Sequence, residues 1–414
     1  MNEVNQHDRG KRSVPVLFAS KVDCCACGAC VNACPRGAIT MKEDSHGYLY
    51  PHIDESLCIS CGKCKKVCAF QNKEETNTPL FTYAARARDC EVLAASSSGG
   101  VFAAVAKEVI RKGGVVFGAA YTDGWDVRHI PVEREADLIK LQGSKYTQSA
   151  TADAYSQAKT MLEAGRTVLY SGTPCQIAGL YGFLGKNYEG LLTMDLICHG
   201  VPNTRMLREY LSGLAKREKA EVTGFTFRDK RLGWGINGSA DLRSKGRVYR
   251  KRLWSSEESY ISYFLKGWIY RENCYQCKYA CAHRPADITI GDYWGIESAH
   301  PDYLRNGWSD GKGISVIIVN TEKGRACLDH FGSGLELRPS DFEKARAGNH
   351  NLQAPTSPGK REEILETYAQ GGWPAVEQRF RKRMGLRIYA GRVKNLIPKG
   401  MKRTAKRVIQ MIKR

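Results

Sequence analysis

The sequence predicts a mixed α+β and α/β protein in three parts: a small cysteine-dense domain, a larger α/β domain and a basic amphipathic helical tail. Three observations predict it. Nine of the sixteen cysteines lie between Cys24 and Cys68. From residue 80 to residue 375, short apolar runs alternate with stretches of helical spacing. From Arg379 to Arg414 there are fourteen Lys or Arg residues and no acid. The expected domains are 15–72, 80–375 and 376–414, with the polar stretch Lys73-Glu74-Glu75-Thr76-Asn77-Thr78-Pro79 as a linker.

At 414 residues the chain has room for two or three domains, each able to bury a core. A hydrophobic share of 42% with 26% charged residues excludes wholesale disorder. No apolar run approaches the ~18 residues of a membrane span, which excludes an integral membrane protein on this reading. The apolar patch Val14–Ala19 is too short for a secretory signal, so export is not expected. Clustered cysteines in a chain this long point to metal ligation in a reducing compartment, hence the cytoplasm, rather than to a disulfide scaffold. The net charge of +20 suggests nucleic acid until it is located: the tail holds fourteen positive charges, leaving +6 on the first 378 residues.

The cysteine-dense segment is duplicated. Cys24-x2-Cys27-x2-Cys30-x3-Cys34-Pro35 is followed by Cys58-x2-Cys61-x2-Cys64-x3-Cys68. This is the bacterial two-cluster ferredoxin pattern. Three closely spaced thiolates take three corners of a cubane, and the fourth cysteine of each run reaches the other cluster. One 4Fe-4S cluster is therefore assigned to Cys24, Cys27, Cys30 and Cys68, and a second to Cys58, Cys61, Cys64 and Cys34. Cys25 is left over. Structural zinc takes four ligands, usually as two separated pairs, and fits these runs poorly.

In the larger domain, Phe81–Arg86 reads as a strand, and Ser98-Gly99-Gly100 leads into a helix over Val101–Lys112. Val115–Tyr121 is a strand and Ala152–Ala164 a helix. Thr167–Tyr170 is a buried-type strand that turns at Gly172-Thr173-Pro174-Cys175 into another helix. Leu191–Ile197 is a strand ending at Cys198-His199-Gly200. The alternation predicts a parallel sheet with right-handed crossovers. From Val222 onward strands dominate: Phe225–Arg228, a hairpin of Ile236–Leu242 with Val248–Leu253, then Ile288–Ile290 and Ile314–Val319.

Cys175 and Cys198 each follow the C-terminal end of a strand, the edge where open α/β sheets bind ligands. With Cys274-x2-Cys277 they make four cysteines that could hold a third 4Fe-4S cluster. Plain buried cysteines and half a zinc site are the alternatives. Cys281 lies one residue beyond the usual spacing. The residues also give a partial case for a flavin. Ser98, Gly99 and Gly100 open a helix whose free N–H groups could hold a pyrophosphate. Lys145 could neutralise phosphate, Tyr146 could stack on a ring, Thr173 could donate to an isoalloxazine oxygen or a phosphate, and Arg228 and Lys230 could steady the flavin or an anionic substrate. For these residues a helix-entry turn and solvated charge are the bland alternatives. His199 and Asp292 are candidate proton donors, against a supporting hydrogen-bond role for His199 and a turn-forming role for Asp292.

Six motifs occur in a fixed order: Ser98-Gly99-Gly100, Gln142-Gly143-Ser144-Lys145-Tyr146, Gly172-Thr173-Pro174-Cys175-Gln176, Cys198-His199-Gly200-Val201-Pro202, Phe227-Arg228-Asp229-Lys230 and Ala286-Asp287-Ile288-Thr289-Ile290-Gly291-Asp292-Tyr293-Trp294-Gly295. Together they resemble the coenzyme F-420-reducing hydrogenase/dehydrogenase beta subunit family with a ferredoxin domain fused in front, over roughly residues 15–325. The resemblance implies an iron–sulfur flavoprotein oxidoreductase. It implies the third cluster at Cys175, Cys198, Cys274 and Cys277, FAD held by the residues named above together with Ser144, and hydride exchange with a deazaflavin in some members. Fold alone does not fix the substrate. The expected function is therefore a relay of single electrons through 4Fe-4S clusters to a flavin, which reduces an unidentified substrate by hydride transfer. The alternative is an electron-transfer subunit that serves a partner enzyme. A low-potential donor such as ferredoxin is the expected partner.

The tail interleaves its charges with Met384, Leu386, Ile388, Tyr389, Val393, Leu396 and Ile397, and Pro398-Lys399-Gly400 divides it into two amphipathic segments. Such helices lie on anionic lipid, so a peripheral position on the inner membrane face is expected. A solvated helix packed on the body and nucleic-acid binding are the alternatives, nucleic acid the weaker.

Overall fold

The structure, a computed structural model, describes residues 13–72, 76–308 and 310–385. The cysteine-dense domain holds an antiparallel hairpin of β1 (Ile39–Glu43) and β2 (Leu49–Ile53), with the short helices α1 (Ala29–Ala33) and α2 (Lys63–Lys66) beside it. Both helices start at left-handed glycines, Gly28 and Gly62, inside the two cysteine runs.

The body is built on an eight-stranded mixed sheet. Its strands are β3 (Phe81–Ala87), β4 (Val115–Tyr121), β5 (Val127–Val132), β6 (Val168–Gly172) and β7 (Leu191–Leu196). After an excursion into a second sheet of β8 (Glu221–Thr226), β9 (Gly238–Ser244) and β10 (Arg247–Leu253), it continues with β11 (Ile288–Asp292), β12 (Ser315–Val319) and β13 (Leu335–Ser340). The order is β13-β3-β12-β11-β7-β6-β4-β5. Only β4, β6, β7 and β11 are parallel neighbours.

This corrects the sequence reading twice. The strand read at Phe81–Arg86 exists, but it runs antiparallel between β12 and β13. The parallel core takes its fourth strand from Ile288–Asp292, in the region read as strand-dominated. Local pattern marks a strand, but its partner is chosen from distant parts of the chain.

The parallel strands are buried on both faces, which explains their near-continuous apolar runs. Val116 and Leu169 pack with α4 (Val101–Arg111), which follows the short helix α3 (Cys90–Ala95) and whose Val101, Val105 and Val109 form its inner stripe. Val115, Phe117, Val168 and Tyr170 face the opposite way, onto α5 (Ala154–Glu163) and α6 (Pro174–Leu184). Cys25, Cys27 and Ala29 belong to that same second layer.

A third core joins the small sheet to α7 (Thr204–Glu218), the helix Ser259–Leu265 and the helix Arg361–Met384. Tyr48 and Tyr50 of the cysteine-dense domain sit in it. The Arg361–Met384 helix carries the fold across the boundary expected at residue 375. Trp373, Val376 and Phe380 are buried, and Arg379 pairs with Glu363. Gly371 and Gly372 break its helical geometry ahead of Pro374, so its two halves follow the core at different angles. The rest of the tail lies outside the described residues. Among the described residues no helix is long and apolar enough to cross a membrane.

Candidate functional site

The two cysteine runs fold so that each exchanges its last member. Cys34 lines a small depression with Cys58, Cys61 and Cys64. Cys24 and Cys68 are electrostatic neighbours of Cys30. Cys34 thus stands with the second run and Cys68 near the first, the crossing that a two-cluster fold uses. The donor chemistry fits 4Fe-4S cubanes. Burial pushes the Cys30 thiol up to about 12 and raises Cys24 and Cys64, so a cationic cluster is what would hold them as thiolates.

The domain is clamped to the body rather than tethered. Gly179 and Gly182 of α6 let the cysteine runs approach closely. A Cβ on Gly179 would lie 2.7 Å from Cys27 Sγ, and one on Gly182 2.4 Å from the Val67 carbonyl oxygen. Thr151 Oγ1 donates to the Cys27 carbonyl at 2.8 Å, and Gln148 Nε2 to that of Cys25 at 3.1 Å. Arg271 is 1% exposed and spends its guanidinium on the Cys24 and Leu49 carbonyls, Gln148 and Asn273. At the end of the expected linker, Asn77 is bridged to Arg284.

A cavity of about 550 Å³ opens at the C-terminal ends of β6, β7 and β11, the edge where such sheets bind ligands. Its size suits a cofactor-sized molecule. Cys175, Cys198, Cys274 and Cys277 line it, joined by Cys25. Cys175 stands in the first turn of α6, where its contact with Cys25 and its burial hold the thiol well above the ordinary cysteine range. Burial pushes Cys198 up to about 12 and Cys277 to about 11, with neighbouring thiols adding to both. Cys25, set aside by the spacing, is 3% exposed and hydrogen-bonds to Cys175. It therefore joins the first cysteine run to the cavity. Cys281 is absent from the lining, and its thiol donates to the Lys278 and His283 carbonyls.

The expected flavin residues divide. Ser98, Gly100, Ser144, Lys145, Tyr146, Thr173 and Arg228 line the cavity, as do His199 and Asp292. The first-turn N–H groups of α4 open onto it without side-chain caps, beside Gly100. Gly99 is a packing glycine instead. A Cβ there would lie 2.3 Å from the Ala85 carbonyl oxygen, and its N–H is given to Ser315 Oγ. Lys230 does not reach the lining. Its ammonium donates to the Leu93 and Ser98 carbonyls, and burial lowers it to about 8. It steadies the Ser98-Gly99-Gly100 turn from behind. Thr173 caps α6 with Gln176 and contacts Cys175 Sγ at 3.2 Å, so its hydroxyl is committed to placing that cysteine. Lys145 donates to the Lys140 and Gln142 carbonyls, and burial lowers it to about 7. The Tyr146 ring stacks on Phe264 at 4.3 Å.

Asp292, a candidate proton donor, is paired with Arg228. Both its oxygens accept from Arg228 at 2.8 Å, and Trp234 Nε1 adds a third bond at 2.5 Å. Arg228 also reaches Tyr146 and the Ser97 carbonyl, while its Nε is buried without an acceptor. Trp294, stacked on Trp234 at 4.8 Å, lines the cavity rather than the core. The His199 ring is accessible from the cavity, whose walls desolvate it and lower its pKa, and its backbone carbonyl accepts from Thr356.

Several wall residues carried no sequence signal. His129 is buried, with Nε2 donating to the Ser171 carbonyl and Nδ1 bonded to Ser149, and burial lowers it to about 4. Asn349 and Asn351 come from beyond the last motif. Only their place in space marks them.

Three family descriptions match. Residues 23–72 match a 4Fe-4S dicluster domain. Residues 82–155 match the N-terminal part, and residues 165–343 the C-terminal part, of the coenzyme F420 hydrogenase/dehydrogenase beta subunit. The chain belongs to that family. It is a family of oxidoreductases, and this member carries a dicluster domain in front. An F(420)H(2) dehydrogenase subunit of Methanosarcina mazei is 27% identical over 210 residues, 45% of this chain and 58% of that protein. The coenzyme F420-dependent sulfite reductase of Methanocaldococcus jannaschii is 32% identical over 337 residues, 78% of this chain and 48% of that protein. The chain thus spans roughly half the length of these relatives. A chain of the F420-reducing NiFe hydrogenase complex from Methanosarcina barkeri matches with a TM-score of 0.43 and 16% identity, covering 71% of this chain and 94% of that one.

Proposed function

We propose that this family member is an oxidoreductase subunit that exchanges electrons between its ferredoxin domain and a flavin site in the large cavity, with a deazaflavin coenzyme of the F420 class as the hydride partner. The observation that carries the reading is the continuity of the cysteines. The run around Cys24 meets Cys25, Cys25 meets Cys175, and Cys175 shares one cavity with Cys198, Cys274, Cys277 and the α4 N-terminus. The coenzyme named for the relatives supports the substrate class.

In this reading Cys175, Cys198, Cys274 and Cys277 hold a third 4Fe-4S cluster. A flavin bound beside it would supply the exchange between one hydride and two single electrons. The chain's own groups bind and orient. The open N–H groups of α4 and the Lys145 ammonium face a phosphate-bearing ligand. Arg228, fixed by Asp292, presents a positive edge to the cavity, and Trp294 offers a flat wall. His199 is the wall residue whose ring is free to exchange a proton. Assembly with further subunits belongs to the same proposal.

The test is anaerobic purification followed by mass identification of released flavin and a deazaflavin-oxidation assay with viologen dye as acceptor. Stoichiometric FAD and deazaflavin-dependent reduction of the dye are expected. Intact clusters that never bind flavin, even on reconstitution, would sink the reading and favour a pure electron carrier.

A further inference from the structure

The two ferredoxin sites are placed unequally. The Cys24 side is pressed against α6 and the body at Gly179. The depression lined by Cys34, Cys58, Cys61 and Cys64 faces outward, and Cys61 is exposed. Arg36 and Lys63 line the depression, Lys65 and Lys66 follow Lys63 in the short helix α2, and all four are exposed and form no ion pair with another described residue. From Ser56 to Asn72 the chain has three lysines and no acid. Apolar side chains are bare here too: Ile59, 56% exposed, lines the depression with Pro15, and their chain neighbours Val16 and Leu57 are 68% and 44% exposed.

An apolar centre with a positive rim has a physical consequence. The apolar side chains reward contact with a partner, and the unpaired cations steer a negatively charged one toward them.

We propose that this face is the docking surface for an acidic one-electron carrier protein, seated over Cys61 with its carboxylates against Lys63, Lys65 and Lys66. The proposal rests on the reading that electrons pass through the ferredoxin domain. Each encounter moves one electron and makes or breaks no bond: the reduced carrier is oxidised as the domain is reduced, or the reverse. Two encounters match one hydride.

The experiment uses the holoprotein, with an acidic two-cluster ferredoxin in its oxidised form as the probe. Association with the immobilised holoprotein should slow by ~10-fold or more as ionic strength rises from ~0.01 M to ~0.15 M. The triple variant Lys63→Glu/Lys65→Glu/Lys66→Glu should lose a similar factor at low ionic strength, with iron content unchanged. Lys245→Glu/Arg247→Glu, on the exposed turn between β9 and β10, should bind as wild type. If the triple variant loses its clusters, carbodiimide cross-linking of the wild-type pair decides instead, and the bonds should fall on Lys63, Lys65 and Lys66. No association, unchanged binding by an iron-replete triple variant, or cross-links on the β9–β10 turn or beyond Gly385 would overturn the proposal. Deazaflavin-dependent viologen reduction separates the two readings, since a small dye needs no docking face. Its retention with failed docking overturns only the surface, and its absence in the wild type overturns the function.

Discussion

Arg228 ties four parts of the cavity wall together: Asp292 at the end of β11, Tyr146, the Ser97 carbonyl and the face of Trp294 at 5.6 Å. Removing the guanidinium leaves a largely buried carboxylate with one indole donor. Arg228→Gln is expected to destabilise the fold by about 3 kcal/mol or more, the scale of breaking a buried ion pair, and to empty the flavin site. Urea unfolding and flavin content of the purified variant check both. A variant with wild-type stability and full flavin would show that the pair carries neither role. The sequence marked Arg228 and Asp292 as separate candidates. Their bond spans 64 residues, so only the folded chain shows that each is the other's counter-charge.

At the scale of elements, α6 connects the ferredoxin domain to the cavity. Its N-terminus sets Cys175 at the cavity, and its glycines admit the ferredoxin runs one to two turns later. Gly182→Ala places a methyl within 2.4 Å of a backbone oxygen that belongs to a cluster-binding loop. Backbone cannot rotate away as a side chain can, so the loop must shift. A loss of about 1–3 kcal/mol is expected from such overpacking, together with iron loss from the purified protein. Unchanged iron content and melting temperature would mean the interface yields more easily than its geometry implies. The element types here were legible, because apolar periodicity marks α4, α5 and α6 and the runs of β4, β6 and β7. The close approach was not, since a glycine in a helical pattern reads as a weak helix residue until its neighbour is known.

For the whole molecule, the mixed sheet, the second sheet and the ferredoxin domain share cores, and the Arg361–Met384 helix closes the third of them. Truncation must therefore respect that helix. Cutting after Ala369 removes buried Trp373, Val376 and Phe380 and is expected to abolish soluble expression. Cutting after Gly385 spares them and removes ten of the fourteen tail cations. If the tail lies on anionic lipid, as its charge and apolar interleaving suggest, the second truncation should lose sedimentation with anionic vesicles. Undiminished sedimentation would reject that role. The boundary expected at residue 375 followed the change in charge, but the core follows apolar side chains, and these continue to Phe380.

Sequence by itself determined the local chemistry: the duplicated cysteine runs, the order of the six motifs, the strand-end positions of Cys175 and Cys198, and the alternation that makes an α/β body. Each depends on neighbours within a few residues, where spacing and geometry are coupled. Tertiary structure alone decided the rest. It chose β11 for the parallel core and turned β3 antiparallel. It made Cys25 the contact between two cysteine groups, withdrew Gly99 and Lys230 from the cavity, and gave Asp292 to Arg228. These depend on which distant segments are packed together, and that is set by the burial of whole faces rather than by any local pattern.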